Sequence, residues 1–255
     1  MKLDCVLSAV NEEKLYIDFV PIFIKTWTKL YPNTDVKVIL ICENIPNNLL
    51  EFKDNIIHFP PLEGVSTCFT STYIRTLYPA ILNYNNGILI SDIDMLPMNR
   101  TYYSENIKKY DNDKFIYLRH VCLRSKEIAI CYNVATPKIW GEIYNIKTLD
   151  DIKQTLTTRF KSIKYIDGPP GKKRPGYNTD QLDLYKKVHE WHEKTNNFII
   201  LKDSETGFKR LCRSQRFTLN EKTMKNISNG VYSDCHTYRP YSTYKEINDK
   251  IYELL

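Results

Sequence analysis

Apolar runs alternate with helix-spaced segments through the first half of this 255-residue chain, and the alternation predicts an α/β fold. The expected architecture is a mostly parallel central sheet with helices on both faces. Two further observations sharpen it. The fourth apolar run ends in an acid pair, Asp92 and Asp94, where ligands of such sheets bind beyond the carboxyl ends of the strands. No internal repeat or long linker divides the chain, so residues 1–255 are expected to form a single domain.

The elements follow in order. Residues 3–9 read as a buried strand. Over residues 19–30, Phe19, Phe23, Trp27 and Leu30 recur at helical spacing with Val20 and Ile24 beside them. Asp18 is placed to cap that helix, and Pro21 falls in its first turn, where a missing N–H costs little. Tyr31-Pro32-Asn33 ends it. Residues 36–42 form a second strand and residues 56–59 a third, closed by Pro60-Pro61. A helix is expected over residues 70–82, then a turn at Asn85-Asn86-Gly87. Residues 88–90 make the fourth strand, running into Ser91-Asp92-Ile93-Asp94.

The second half is less regular. Residues 115–118 and 128–134 read as strands, and residues 137–146 as a helix with Trp140 inward. Further helices are expected over residues 149–160 and 179–191. Between them lies a Gly/Pro-rich loop, Gly168-Pro169-Pro170-Gly171-Lys172-Lys173-Arg174-Pro175-Gly176. It lacks the Gly-Lys-Ser/Thr order of a P-loop.

Composition excludes several classes. The net charge of +6 is spread along the chain, not gathered in the basic stripe of a nucleic-acid binder. A mild positive excess also suits a pocket that receives a diphosphate. Seven cysteines, with no CxxC pair and several inside apolar runs, argue against a zinc site or a disulfide framework. A reducing cytoplasm is the expected compartment, since Asp4 falls where a signal peptide needs an apolar run. No stretch approaches the ~20 apolar residues that span a membrane.

The acid pair carries the chemistry. Residues i and i+2 of a strand point the same way, so Asp92 and Asp94 would repel each other unless a cation sat between them. Mg²⁺ or Mn²⁺ suits oxygen ligands and completes its shell with phosphate oxygens and water. The bland alternative is an acidic turn at a strand end.

The stretch Ser71-Thr72-Tyr73-Ile74-Arg75-Thr76-Leu77-Tyr78-Pro79, followed by Gly87 to Pro97 with its Asp92-Ile93-Asp94 triplet, resembles the GT-A glycosyltransferases. The likeness is to the glycogenin and lipopolysaccharide galactosyltransferase group. Ser233-Asp234-Cys235-His236 is similar to the small glycosyltransferase domains of large algal viruses, which would place the protein in a host cytoplasm. The resemblance covers residues 3–97 in order and then isolated landmarks. It implies a GT-A fold, a UDP-sugar donor, a carbohydrate or other hydroxyl acceptor, Mn²⁺ or Mg²⁺, and retention of configuration. Residues 1–97 would bind the nucleotide sugar and residues 98–255 the acceptor.

By the same resemblance, Asp94 would coordinate the metal, Asp92 the metal, the ribose or both, and His236 would complete the site. Ser8, Ala9, Val10, Asn11 and Ile93 would line the nucleotide. Arg75 would contact the donor and not serve the fold, projecting away from the stripe of Phe69, Tyr73, Leu77 and Ala80; a surface arginine is the alternative. Asp180-Gln181 would lie near the reacting sugar, although an acid at a helix start is also explained by capping. Asn133 and Ala135 could line the sugar pocket, but the family's Asn-Ser-Gly form is missing.

Lys172, Lys173 and Arg174, and later Lys209, Arg210, Arg213 and Arg216, could close on a diphosphate or form solvated surface. His189 and His192 are expected to face solvent. A nucleotidyltransferase also needs paired acids and a metal, but Ser8 to Glu13 has no glycine and is acidic. A non-catalytic binding module on the same fold is the other alternative.

Overall fold

The computed structural model describes residues 1–168 and 174–255, so Lys172 and Lys173 lie outside the described residues. The strands are β1 (Leu3–Asn11), β2 (Asp35–Ile41), β3 (Ile56–Phe59), β4 (Gly87–Ile90), β5 (Met95–Pro97), β6 (Phe115–Tyr117), β7 (Asn133–Ala135), β8 (Phe198–Ile200), β9 (Arg210–Cys212) and β10 (Asp234–His236). The helices are α1 (Val20–Leu30), α2 (Thr67–Tyr73), α3 (Tyr102–Glu105), α4 (Pro137–Tyr144), α5 (Leu149–Lys161), α6 (Thr179–Thr195), α7 (Asp203–Thr206), α8 (Glu221–Ser228) and α9 (Lys245–Leu254).

A seven-stranded sheet has the order β3-β2-β1-β4-β7-β6-β8. Among the described residues β7 alone runs against the others. The mostly parallel α/β sheet expected from the sequence is therefore present. Its central strands β1 and β4 are buried along nearly their whole length because both faces are covered. Helix α1 packs on β2 and reaches α9, while α2 packs on β1 and β2 and reaches α5 and α6. No helix among the described residues is long and apolar enough to cross a membrane.

Local sequence explains most elements. Phe19, Phe23, Trp27 and Leu30 are all buried, as their spacing predicts. Asp18 does not cap α1, because it lies inside a 3-10 turn over Ile17–Phe19 and Phe19 takes the cap position without a side-chain bond. In α5, Thr148 and Asp151 form a reciprocal capping box. Gly87 starts β4 where a Cβ would sit 2.7 Å from a Val134 methyl, so no larger residue fits that crossing.

The helix expected over residues 70–82 is broken. It runs as α2 from Thr67, with Ser66 accepting from the Phe69 N–H, and continues as 3-10 turns over Ile74–Thr76 and Tyr78–Ile81. Pro79 supplies the reason: it has no N–H, and its ring would collide with the carbonyl of Arg75 four residues earlier. Thr70, Ser71, Thr72 and Thr76 also turn their hydroxyls back onto α2 carbonyls or its flanks.

The strand expected over residues 128–134 shrinks to β7. Tyr132 has φ +93°, which interrupts extended backbone just before the pairing begins. A second sheet has the order β5-β10-β9, with His236 at the end of β10. Its core is a small cluster of Met98, Leu211, Ile227, Cys235 and Ile251. Arg210 clamps it by a two-pronged bond to the buried Asp234 at 2.8 and 3.1 Å.

His189 and His192, expected to face solvent, are half-buried. His189 stacks on Tyr185 and edges Phe198, and His192 accepts the N–H that starts β8, so both dock α6 onto that strand.

Candidate active site

A cavity of about 800 Å³ opens beyond the carboxyl ends of β1 and β4. Ala9, Val10 and Asn11 form one wall, and Asp92, Ile93 and Asp94 form the floor. His236 and Arg239 close it from the small sheet. Sheet register makes this meeting inevitable: His236 pairs with Met95 across β10 and β5 and with Cys212 across β10 and β9. Asp94 is thereby set beside His236, and Arg213 follows directly on β9.

Asp92 and Asp94 do not point the same way. The strand stops at Ile90, and a turn closed by the Met95 N–H on the Asp92 carbonyl at 3.1 Å splays the two side chains. Asp94 is only 3% exposed. Its Oδ2 accepts from Arg213 Nη1 at 2.8 Å and Arg239 Nη1 at 3.3 Å, with His236 Nε2 at 3.6 Å. Burial by itself would raise this carboxyl, but the bond and charge of His236, then Arg213 and Arg239, hold it well below the usual range. The same contact works on His236: burial opposes its charge, and Asp94 overrides burial to raise the imidazole.

Asp92 turns the other way, onto Arg75. That arginine is not the outward residue expected from helical spacing. It is 8% exposed, lies in the 3-10 segment imposed by Pro79, and spans Asp92 and Asp180, the latter at 3.7 Å. Arg75 therefore reaches the cavity and also supports the fold. Burial pushes the Asp180 carboxyl up to about 7, with Arg75 and the Gln181 N–H pulling it back and Asp92 adding to the rise. Arg75 offsets burial incompletely because its nearer partner is Asp92.

The raised Asp180 sets a sign for stability. A folded carboxyl that binds its proton more tightly than the unfolded one loses stability as pH rises from about 4 to about 7. Asp180→Asn is expected to raise the melting temperature above pH 7 and to leave it nearly unchanged below pH 4. Melts across that range check it, and an equal shift at all pH values would contradict it.

Other expected residues fall outside the cavity wall. Ser8 is fully buried and its hydroxyl has no hydrogen-bond partner among the described residues, so it belongs to the core. Asn133 is likewise buried, with its amide donating to the carbonyls of Ala129 and Ile130, and Ala135 pairs with Ile88; neither lines the cavity. Asp180 and Gln181 stand behind Arg75, with the Gln181 carbonyl accepting from Ile128. The basic cluster splits: Lys209 and Arg216 are exposed, Arg210 is turned to Asp234, and Arg213 faces Asp94.

Tyr16, Thr67 and Tyr177 line the cavity without having been anticipated. Tyr16 accepts from Arg239, and Thr67 accepts from the Asn11 amide at 3.1 Å. The one signal for Tyr16 was an aromatic residue in the loop after the first strand.

The donor chemistry at Asp94 and His236 suits Mn²⁺ or Mg²⁺. A carboxylate oxygen and an imidazole nitrogen 3.6 Å apart approach the ~3 Å separation of adjacent ligands around an octahedral ion with ~2.1 Å bonds. The set is not gathered as it stands: among the described residues no three His, Cys, Asp or Glu side chains form a metal-binding group. Asp92 would join by letting go of Arg75.

No protein-family model matches the chain, and no curated protein matches its sequence. Solved structures do match. An active-site variant of the galactosyltransferase LgtC superposes with a TM-score of 0.50 at 11% identity, over 98% of this chain and 94% of that one. LgtC in complex with donor and acceptor sugar analogues gives a TM-score of 0.49 at 12% identity, with the same coverage of 98% and 94%. The glycosyltransferase GlyE of Streptococcus pneumoniae TIGR4 gives 0.48 at 10% identity, over 100% of this chain and 60% of its own. At such identities the likeness concerns the fold, which is that of the GT-A glycosyltransferases.

Proposed function

We propose that this GT-A fold works as a metal-dependent glycosyltransferase, moving a hexose or deoxyhexose from a UDP-sugar to a hydroxyl of a carbohydrate acceptor with retention. The observation that carries the reading is the cavity beyond β1 and β4, where Asp92 and Asp94 meet Arg75, Arg213 and Arg239. Acids for a cation and guanidiniums for phosphate oxygens are what a sugar diphosphate ester needs at its breaking bond. Asp92, Asp94 and His236 would hold Mn²⁺ or Mg²⁺, which when bound neutralises charge growing on the leaving diphosphate.

The remaining residues divide the work. Ala9, Val10 and Asn11 leave room for the base, and the Asn11 amide is oriented by Thr67. Residues 1–97 would supply the nucleotide side, while residues 98–255 would supply the acceptor side with His236. Asp180 would act on the sugar only through Arg75, which it helps to orient.

Incubation with a panel of UDP-sugars, with and without Mn²⁺, tests the reading. UDP release from at least one donor, stopped by EDTA, is expected. A protein that neither binds nor turns over any nucleotide sugar would sink it. His236→Ala is expected to weaken Mn²⁺ binding at least ~10-fold in the presence of UDP, with the fold intact. Unchanged Mn²⁺ affinity by calorimetry would make His236 structural.

A further inference from the structure

We propose that Arg213 is an exchangeable counter-ion of Asp94, paired with the carboxylate when no donor is bound and with the diphosphate oxygens once the donor arrives. The inference rests on the donor reading above and assigns a role to a residue on the opposite edge of the site from Arg75.

The Asp94 backbone is held in place. Its carbonyl accepts from both the N–H and the hydroxyl of Thr237, at 3.1 and 2.9 Å, which fixes the backbone between the two strands. Arg213 can move. It stands at the end of β9 in a 3-10 turn whose next residues, Ser214 and Gln215, are exposed. One nitrogen, Nη1, makes both of its hydrogen bonds, to Asp94 at 2.8 Å and to the Thr237 carbonyl at 2.6 Å. Nε and Nη2 make no other hydrogen bond among the described residues, and the guanidinium lines the cavity. Turning about the Thr237 contact would present that unused edge to an anion. Arg239 is less suited, because it also bonds Tyr16 and lies over that ring at 5.0 Å.

The charges then dictate a coupling. A divalent cation approaching Asp94 in the nucleotide-free protein meets two guanidiniums already seated on its ligand. A diphosphate offers Arg213 a two-pronged acceptor with more negative charge than one carboxylate, and so draws it away. The anion frees Asp94 for the cation, and the cation frees Arg213 for the anion. This adds to any direct bond between cation and phosphate, and by reciprocity acts equally in both directions.

Calorimetry on the full chain separates the two contributions, with MnCl₂ alone, with UDP alone in EDTA, and with MnCl₂ added to UDP-saturated protein. Arg213→Ala is expected to bind Mn²⁺ without nucleotide about 10-fold tighter than the parent, and UDP in EDTA about 10-fold weaker, within the ~5- to 150-fold range of such couplings. A tighter cation site is an outcome that mere loss of a structural contact does not produce. Arg213→Gln removes the charge but retains a donor for the Thr237 carbonyl, and is expected to shift both affinities in the same directions should the alanine variant unfold. If the parent binds both ligands and neither variant tightens nucleotide-free Mn²⁺ binding, Arg213 is a fixed strut and the exchange is wrong. If the parent binds neither UDP nor Mn²⁺, the donor reading fails and takes this inference with it.

Discussion

Asp94→Ala is expected to abolish UDP-sugar turnover, with a loss of at least ~1,000-fold. A metal-borne stabilisation of several kcal/mol converts to that factor at about 1.4 kcal/mol per tenfold. Two losses coincide at this residue. The variant removes a ligand for the cation, and it leaves Arg213, Arg239 and His236 around a buried site with no anion. Asp94→Asn separates them, since it retains size and an acceptor oxygen but not charge. Turnover measured at saturating Mn²⁺ checks the expectation. Full activity of Asp94→Ala, or of the parent protein in EDTA, would remove the metal from the proposal.

Arg75→Ala is expected to damage stability and donor binding together. Removing one partner of a fully buried ion pair costs roughly 3–5 kcal/mol. Here Asp180 is buried but the Asp92 side chain is 33% exposed, so solvent reclaims part of the loss. About 2–4 kcal/mol remains, which corresponds to roughly 5–15 °C in melting temperature for a domain of this size. The dissociation constant for UDP should rise about 10- to 150-fold if the guanidinium contributes a charge-assisted bond of ~1.5–3 kcal/mol. A melting temperature that barely moves would contradict the buried Asp92–Arg75–Asp180 chain. A large drop with unchanged UDP affinity would leave Arg75 to the scaffold alone.

The double effect at Arg75 illustrates a limit of periodicity. Helical spacing places it far around the axis from Tyr73 and Leu77, hence outward. The α-ladder stops before it, and Tyr73, Arg75 and Leu77 are all buried. Pro79 was visible in the sequence, and its clash with the Arg75 carbonyl is the reason the wheel does not apply. The two acids repeat the lesson: a strand would align Asp92 and Asp94, whereas the turn after Ile90 sends them to different arginines.

Local pattern alone determined the order of the first four strands and α1, because strands buried on both faces and helices with one apolar stripe leave period and composition signals that need no partner. It also located the acid pair at a strand end, the floor of the cavity. Tertiary structure decided what the acids touch. Strands β5, β9 and β10 are three residues each, too short to show alternation, and they exist because they pair with one another. Their register brings His236 and Arg213 to Asp94 from far along the chain. Long-range pairing carries no local signature, so a sequence can name such residues singly, and only the fold shows that one carboxylate serves both.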